Sequence, residues 1–232
     1  MKTIITLLLI LLNSVNLSAQ ELTGKQLLDK SIQYHDPTGA WNTFNAEFTV
    51  RMKTPTASDR LSDIIINIPE EYFSVTAVRD TIKTVYTINK GVCNTNIAKD
   101  APKQNRTPCE TAALYKNYYT YLYGLPMKLK DEGTIISETV TKRTFKGKEY
   151  LVLQVNYTQK VGSDVWFFYF DPATYAMEVY QFFKGDPEAE GANTGEYILL
   201  TEEVLINKIK MPKNRAWYYN KDDGYLGTDI LE

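Results

Sequence analysis

Histidine and cysteine, which supply many catalytic groups and metal ligands, are scarce in this sequence. Its 232 residues include one histidine, His35, and two cysteines, Cys93 and Cys109. No Gly-x-Ser-x-Gly motif surrounds a serine, so nothing indicates Ser-His-Asp or Cys-His catalysis. One histidine and two cysteines are also too few for an ordinary zinc site. We therefore predict no catalytic residue, no metal and no cofactor, and we assign His35 a capping or packing role.

Long basic runs and long apolar runs are missing as well. The 26 lysines and arginines are spread along the chain among 28 acidic residues, which excludes a nucleic-acid partner. The apolar run at residues 4–12 is far shorter than the roughly 20 residues that cross a bilayer. It follows Lys2 and precedes Ser18 and Ala19, which is typical of a cleavable signal peptide over residues 1–19. We expect an exported, soluble monomer, cut near Ala19, with no transmembrane segment.

The two cysteines lie in a polar stretch, residues 91–111, that we interpret as one long loop. Cysteine pairs of exported proteins usually form disulfides, and closing a loop of this size would contribute about 3 kcal/mol. We expect a structural disulfide between Cys93 and Cys109, with two free thiols as the alternative.

The hydrophobic pattern predicts strands for most of the chain and two principal helices, at residues 22–35 and from residue 107 to 125. Alternating apolar residues begin at Phe44, and further segments of this kind bring the total to about eleven strands. An antiparallel sheet of that size seldom stays flat. We predict an α+β fold in which a curved antiparallel sheet forms an unclosed half β-barrel covered by helices, as a single domain of residues 20–232.

Aromatic residues are abundant, with 17 tyrosines, 9 phenylalanines and 3 tryptophans. They could simply pack the core of a large sheet, or they could line a concave pocket for a hydrophobic ligand. For the second interpretation, strand alternation and the aromatic stripe of the second helix indicate the wall residues. The candidate ligand-binding residues are Phe48, Val50, Met52, Ile64, Ile66, Trp166 and Phe168 on the strands, with Tyr118 and Leu122 on the helix.

Paired carboxylates are the remaining candidates for acid–base chemistry. Glu202 and Glu203 are neighbours in a predicted strand, where successive side chains point to opposite faces. We therefore expect that these two carboxylates do not converge on one substrate. A carboxylate-dependent hydrolase is kept only as the second alternative function.

Several segments carry a family resemblance. The aromatic strand at residues 166–170, the turn Asp171-Pro172-Ala173-Thr174 and the return strand from Tyr175 resemble a signature of LolA-like proteins, which are periplasmic lipoprotein carriers. Other segments are similar to a family of uncharacterised exported bacterial proteins near that superfamily. These are Tyr34-His35-Asp36-Pro37 with Trp41, Gly124-Leu125-Pro126-Met127-Lys128-Leu129, Lys146-Gly147-Lys148-Glu149-Tyr150, and Pro212-Lys213-Asn214-Arg215-Ala216-Trp217-Tyr218 with Leu226-Gly227-Thr228-Asp229.

The resemblance implies an unclosed antiparallel barrel whose concave apolar face, covered by helices, holds acyl chains. It also implies a periplasmic location. We expect a binding or carrier protein, not an enzyme, whose partner is a hydrophobic small molecule or a lipidated protein. The first alternative is an envelope protein-interaction or structural module.

Overall fold

The computed structural model describes residues 22–103 and 105–232. The predicted signal peptide, residues 1–19, lies outside this part of the chain. The two principal helices are α1, Gly24–His35, and α2, Pro108–Gly124. The strands are β1 Asn45–Thr54, β2 Ala57–Asn67, β3 Tyr72–Arg79, β4 Ile82–Asn89, β5 Val92–Ile97, β6 Thr134–Phe145, β7 Lys148–Tyr157, β8 Asp164–Phe170, β9 Met177–Lys184, β10 Glu196–Ile206, β11 Ile209–Tyr219 and β12 Tyr225–Leu231.

The strands form one antiparallel sheet in the order β5-β4-β3-β2-β1-β12-β11-β10-β9-β8-β7-β6. Strand β1 therefore joins the two halves by pairing with β12, the last strand of the chain. The edge strands β5 and β6 do not pair with each other among the described residues, so the curved sheet stays open. The predicted unclosed half-barrel is confirmed.

The interpretation of residues 91–111 as one long loop is wrong. Strand β5 occupies Val92–Ile97, and α2 begins at Pro108. Most side chains of β5 are polar and exposed because the strand is an edge of the sheet, so it lacks the alternation that marks a half-buried strand. The start of α2 agrees with the prediction, since Thr107 caps the helix and Glu110 completes a capping box.

The sheet buries apolar side chains on both faces. The main core lies on the concave face. It includes buried residues from each of the strands β1 to β4 and β7 to β12. A second, smaller cluster lies on the convex face and explains why β8 is apolar on both sides. It consists of Tyr150, Val152, Phe167, Tyr169, Val179 and Phe183.

The helices cover different parts of the concave face. Helix α1 packs on β6, β7 and β11, whereas α2 packs on β3, β4 and β5. Tyrosines of α2 contribute to its packing: the ring centroid of Tyr115 lies 5.3 Å from that of Tyr86 in β4, and the centroid of Tyr123 lies 5.0 Å from that of Phe48 in β1. At its first turn α2 is joined to β5 by the disulfide Cys93–Cys109, whose Cα atoms are 5.8 Å apart.

His35 connects the end of α1 to two strands. Its Nε2 accepts a hydrogen bond from the Met177 backbone N–H at 3.0 Å, so Nδ1 carries the proton and donates to the Lys210 carbonyl at 2.8 Å. Burial lowers the pKa of His35, and the bond to the Lys210 carbonyl opposes this effect. The neutral imidazole is therefore a structural link between α1, β9 and β11.

Asp36 and Trp41 continue this link to α2. The Asp36 carboxylate accepts hydrogen bonds from the backbone N–H groups of Ala40 and Trp41, at 2.7 and 2.9 Å, and so caps the short 3-10 helix Ala40–Thr43. That helix sets the Trp41 ring against Gly124, where a Cβ atom would overlap the ring. Two of the segments that carry the family resemblance thus meet at this contact.

Replacement of Gly124 by alanine should lower the free energy of unfolding by about 1–3 kcal/mol, because the added methyl group must displace the Trp41 ring. Urea unfolding followed by circular dichroism measures the change. Gly162→Ala is the matched control, since a Cβ atom at Gly162 meets open space. Equal stability of the two variants would contradict this packing.

Stability should fall as the pH decreases below about 6.5, because the unfolded chain then binds a proton at His35 that the folded chain binds only at lower pH. The His35→Gln variant does not titrate here and should lose this part of the pH dependence. Urea unfolding of both proteins between about pH 7 and pH 5 gives, for each, the slope of the free energy of unfolding against pH. Parallel slopes would show that the folded state accommodates the charged imidazole.

Candidate functional site

A groove runs between α2 and the second half of the sheet, strands β8 to β12. It consists of two adjoining cavities of about 590 and 270 Å³, which share Tyr118, Glu196 and Trp217 as walls. The larger cavity falls within the roughly 300–1,000 Å³ typical of small-molecule sites. We call the two cavities together the α2 groove.

Aromatic rings form most of the apolar wall of the α2 groove. On the sheet side, Trp166 and Phe182 are cross-strand partners whose ring centroids are 4.8 Å apart. On the helix side, Tyr121 contacts Trp166 edge to face at 5.6 Å, and Tyr118 stacks on Trp217 at 6.3 Å. The groove therefore offers flat apolar surfaces from both the sheet and the helix.

Asp229 forms the buried floor of the smaller cavity. Its Oδ2 accepts hydrogen bonds from the Tyr118 hydroxyl at 3.2 Å and from Trp217 Nε1 at 3.3 Å. Burial raises the pKa of the Asp229 carboxyl, while Arg215 and Arg60 oppose the rise. Asp229 thus holds the two stacked rings in place and carries an acidic group to the edge of the cavity.

Arg215 and Arg60 lie beneath α2 and do not line the groove. The Arg215 guanidinium sits 3.9 Å from the centre of the Tyr123 ring and donates to the Pro212 carbonyl at 2.9 Å. Arg60 donates to the Tyr119 hydroxyl at 3.3 Å. Both guanidinium groups therefore contact tyrosines of α2, the helix that covers them.

Glu196 lines both cavities, at the start of β10. It is the cross-strand partner of Phe182 and shares its face with the buried residues Ile198 and Leu200. Burial raises the pKa of the Glu196 carboxyl, and Lys184 opposes the rise. No basic side chain among residues 22–103 and 105–232 forms an ion pair with it within 4 Å.

The candidate residues from the sequence separate into two groups. Met52, Trp166, Tyr118 and Leu122 line the α2 groove. The others are closed off in the main core with exposed fractions of 4% or less, because α2 and neighbouring side chains cover them. These buried residues are Phe48, Val50, Ile64, Ile66 and Phe168.

The groove residues that were not among the candidates include Tyr121, Phe182, Glu196, Trp217 and Asp229. Trp217 and Asp229 belong to the family-like segments at the end of the chain, and this was the signal that could have indicated them. Residues 197–200 are all apolar, so the alternation there does not show which face Glu196 shares.

A second cleft lies near α1, and it corrects the expectation about Glu202 and Glu203. Both residues line this cleft, together with Asp171 and Glu178. Glu202 has a positive φ of 55°, so the chain there departs from the extended conformation that sends neighbours to opposite faces. Hydrogen bonds from Lys213 and Lys148 lower the pKa values of Glu202 and Asp171, which is the opposite of what a general acid needs.

Metal ligands do not gather anywhere in the described part of the chain. Over residues 22–103 and 105–232, no three His, Cys, Asp or Glu side chains are arranged to hold an ion.

The sequence matches a family of unknown function, DUF6503, over residues 2–231. The chain belongs to the DUF6503 family. A comparison with curated protein sequences finds no match.

Two solved structures share the fold. A LolA superfamily protein from Nitrosomonas europaea is similar with a TM-score of 0.51 at 9% identity, and the match covers 91% of this chain and 92% of that one. A DUF1329 family protein from Desulfovibrio piger is similar with a TM-score of 0.50 at 7% identity, with the same coverage. The fold of this DUF6503 protein is therefore the open barrel of LolA-like proteins.

None of its described helices has the length and apolar character needed to cross a membrane.

Replacement of Glu196 by glutamine should raise the free energy of unfolding at about pH 7. The folded protein disfavours the ionised carboxylate, so the wild type loses stability as the pH rises through the raised pKa, and the variant does not. The gain should stay below about 1 kcal/mol, since solvent screens the partly exposed group. It should shrink as the pH falls towards about 4. A loss of stability in urea unfolding at pH 7 would show that Glu196 is held by a favourable partner.

Proposed function

We propose that this DUF6503 protein is a soluble periplasmic protein that binds a hydrophobic ligand, such as a lipid or the acyl chain of a lipidated protein, in the α2 groove. The observation that carries the proposal is the groove itself. Aromatic rings from α2 and from three strands contact one another and line an open space of several hundred cubic ångströms. A chain of methylene groups laid on these rings would be stabilised by about 0.8 kcal/mol per buried CH₂.

The fold and the disulfide support the proposal. One of the structures with the same fold is described as a LolA superfamily protein, and the resemblance of residues 166–175 to that superfamily implies an acyl-chain site on the concave face. The disulfide Cys93–Cys109 suits an oxidising compartment, and residues 1–19 have the pattern of a signal peptide. Both features favour the periplasm over the cytoplasm.

A carboxylate-dependent hydrolase is the second candidate function. Its support is that Glu196 and Asp229, whose pKa values burial raises, line the same cavity. Hydrogen bonds from Tyr118 and Trp217 already occupy the Asp229 carboxylate, which favours a structural role for it. A hydrolase would cleave a chromogenic ester or glycoside, and Glu196→Gln would abolish the cleavage; the carrier proposal predicts no turnover by either protein.

Binding of a series of single-chain alcohols or neutral detergents tests the carrier proposal directly. Affinity should rise about fourfold for each added CH₂ until the groove is filled, as expected from about 0.8 kcal/mol per methylene. Quenching of tryptophan fluorescence and native mass spectrometry measure the affinity and the one-to-one stoichiometry. Trp166→Asp should weaken binding at least tenfold, because it puts a charge on the groove wall.

Leu205→Asp is the matched control, since Leu205 is an exposed apolar residue in β10 that lines neither cavity. It should leave the affinity unchanged. Absence of binding across the whole series, or equal effects of the two aspartate substitutions, would overturn the proposal.

A further inference from the structure

The α2 groove is strongly acidic for an apolar site. Four carboxylates line its two cavities, namely Asp131, Asp164, Glu196 and Asp229, against a single basic residue, Lys128. Lys128 forms an ion pair with Asp131 and is therefore neutralised within the groove. The other three carboxylates have no cation on the walls, although Arg215 and Arg60 act on Asp229, and Lys184 on Glu196, from outside the lining.

We propose that the ligand of the α2 groove carries a positively charged amine next to its apolar chain, and that Glu196 receives this amine. The inference rests on the proposed function and adds the chemistry of the ligand's head group. It follows from charge complementarity, because an amine would supply the cation that the groove lacks.

Glu196 is the carboxylate best situated for this role. Asp229 is occupied by the Tyr118 hydroxyl and Trp217 Nε1, and Asp131 by Lys128. Asp164, the cross-strand partner of Lys184, lines only the larger cavity. Glu196 has no hydrogen bond and no ion pair within 4 Å among the described residues, although the charge of Lys184 acts on it, and it lines both cavities where they adjoin. A head group bound there would leave the larger cavity free for the chain.

The rings around Glu196 favour the same kind of ligand. Phe182 is its cross-strand partner, and Trp217 and Tyr118 share both cavities with it. Aromatic faces attract ammonium groups, and they do so most strongly where water is excluded. An amine at Glu196 would therefore meet a carboxylate and aromatic faces together.

An anionic head group has no corresponding site. Arg60 and Arg215, beneath α2, do not line either cavity and already contact Tyr119 and Tyr123, and Lys184, whose charge acts on Glu196, lines neither cavity. A sulfate or carboxylate head in the groove would meet the four acidic side chains with no free cation on the walls. The site therefore selects against anionic amphiphiles.

Three probes with the same dodecyl chain test the inference: dodecyltrimethylammonium, dodecyl maltoside and dodecyl sulfate, each below its micelle concentration. Isothermal titration calorimetry should show that the cationic probe binds at least about tenfold more tightly than the anionic probe, and that added salt reduces the difference. Glu196→Gln should weaken the cationic probe several-fold and leave the neutral probe unchanged. Glu203→Gln, in the second cleft, should change neither affinity.

The outcomes separate this inference from the proposed function. If no probe binds in the groove, both are overturned. If the neutral probe binds but the cationic and anionic probes bind equally well, the head-group inference fails and the carrier proposal stands. Equal loss of all three affinities in Glu196→Gln would also overturn the inference, because it would show a structural effect rather than a charge effect.

Discussion

Helix α2 is held against the sheet at both ends, and this constraint determines which part of the concave face stays open. At its start the disulfide Cys93–Cys109 joins it to the edge strand β5, and at its end Gly124 packs against Trp41. A helix about 10 Å wide covers only two or three strands spaced about 4.8 Å apart. The backbone of α2 lies closest to β3, β4 and β5, and its tyrosine side chains reach Trp166 of β8 and Trp217 of β11 across the space that forms the α2 groove.

The groove combines apolar walls with acidic groups in an environment that disfavours their charge. Burial raises the pKa values of both Glu196 and Asp229. Asp229 has a structural reason to be there, because it accepts hydrogen bonds from the two rings that form the wall. Glu196 has no comparable hydrogen bond among the described residues, and the amine that we propose as part of the ligand would supply its partner.

The sequence pattern is sufficient for the architecture and insufficient for the site. Alternation in the strands and the capping residues Thr107 and Glu110 predict the curved open sheet and the start of α2, and both are confirmed. The pattern does not predict strand β5, because an edge strand that is exposed on both faces has no alternation of apolar and polar residues. Alternation also identifies the concave face correctly at Phe48 and Ile64, yet it contains no information about which strands a helix will cover.

Two local features explain why the sequence analysis misplaced Glu202 and Glu203 and missed Glu196. Glu202 and Glu203 share a cleft because the positive φ of Glu202 interrupts the alternation on which the expectation depended. Glu196 begins an apolar run, so neither face of its strand is marked by polar residues. The family-like segments around Trp41, Gly124 and Trp217 contained the missing information, since they supply the contact that holds α2 and one wall of the groove.

The most direct test of a ligand site in the α2 groove is photo-crosslinking with an amphiphile that carries a diazirine on its chain, followed by mapping of the adducts by mass spectrometry. If the account is correct, the adducts fall on α2 and on β8 to β11, at residues such as Tyr121, Trp166 and Phe182, and an unlabelled amphiphile competes them away. Adducts confined to the convex face or to the second cleft at Glu202 and Glu203 would contradict it.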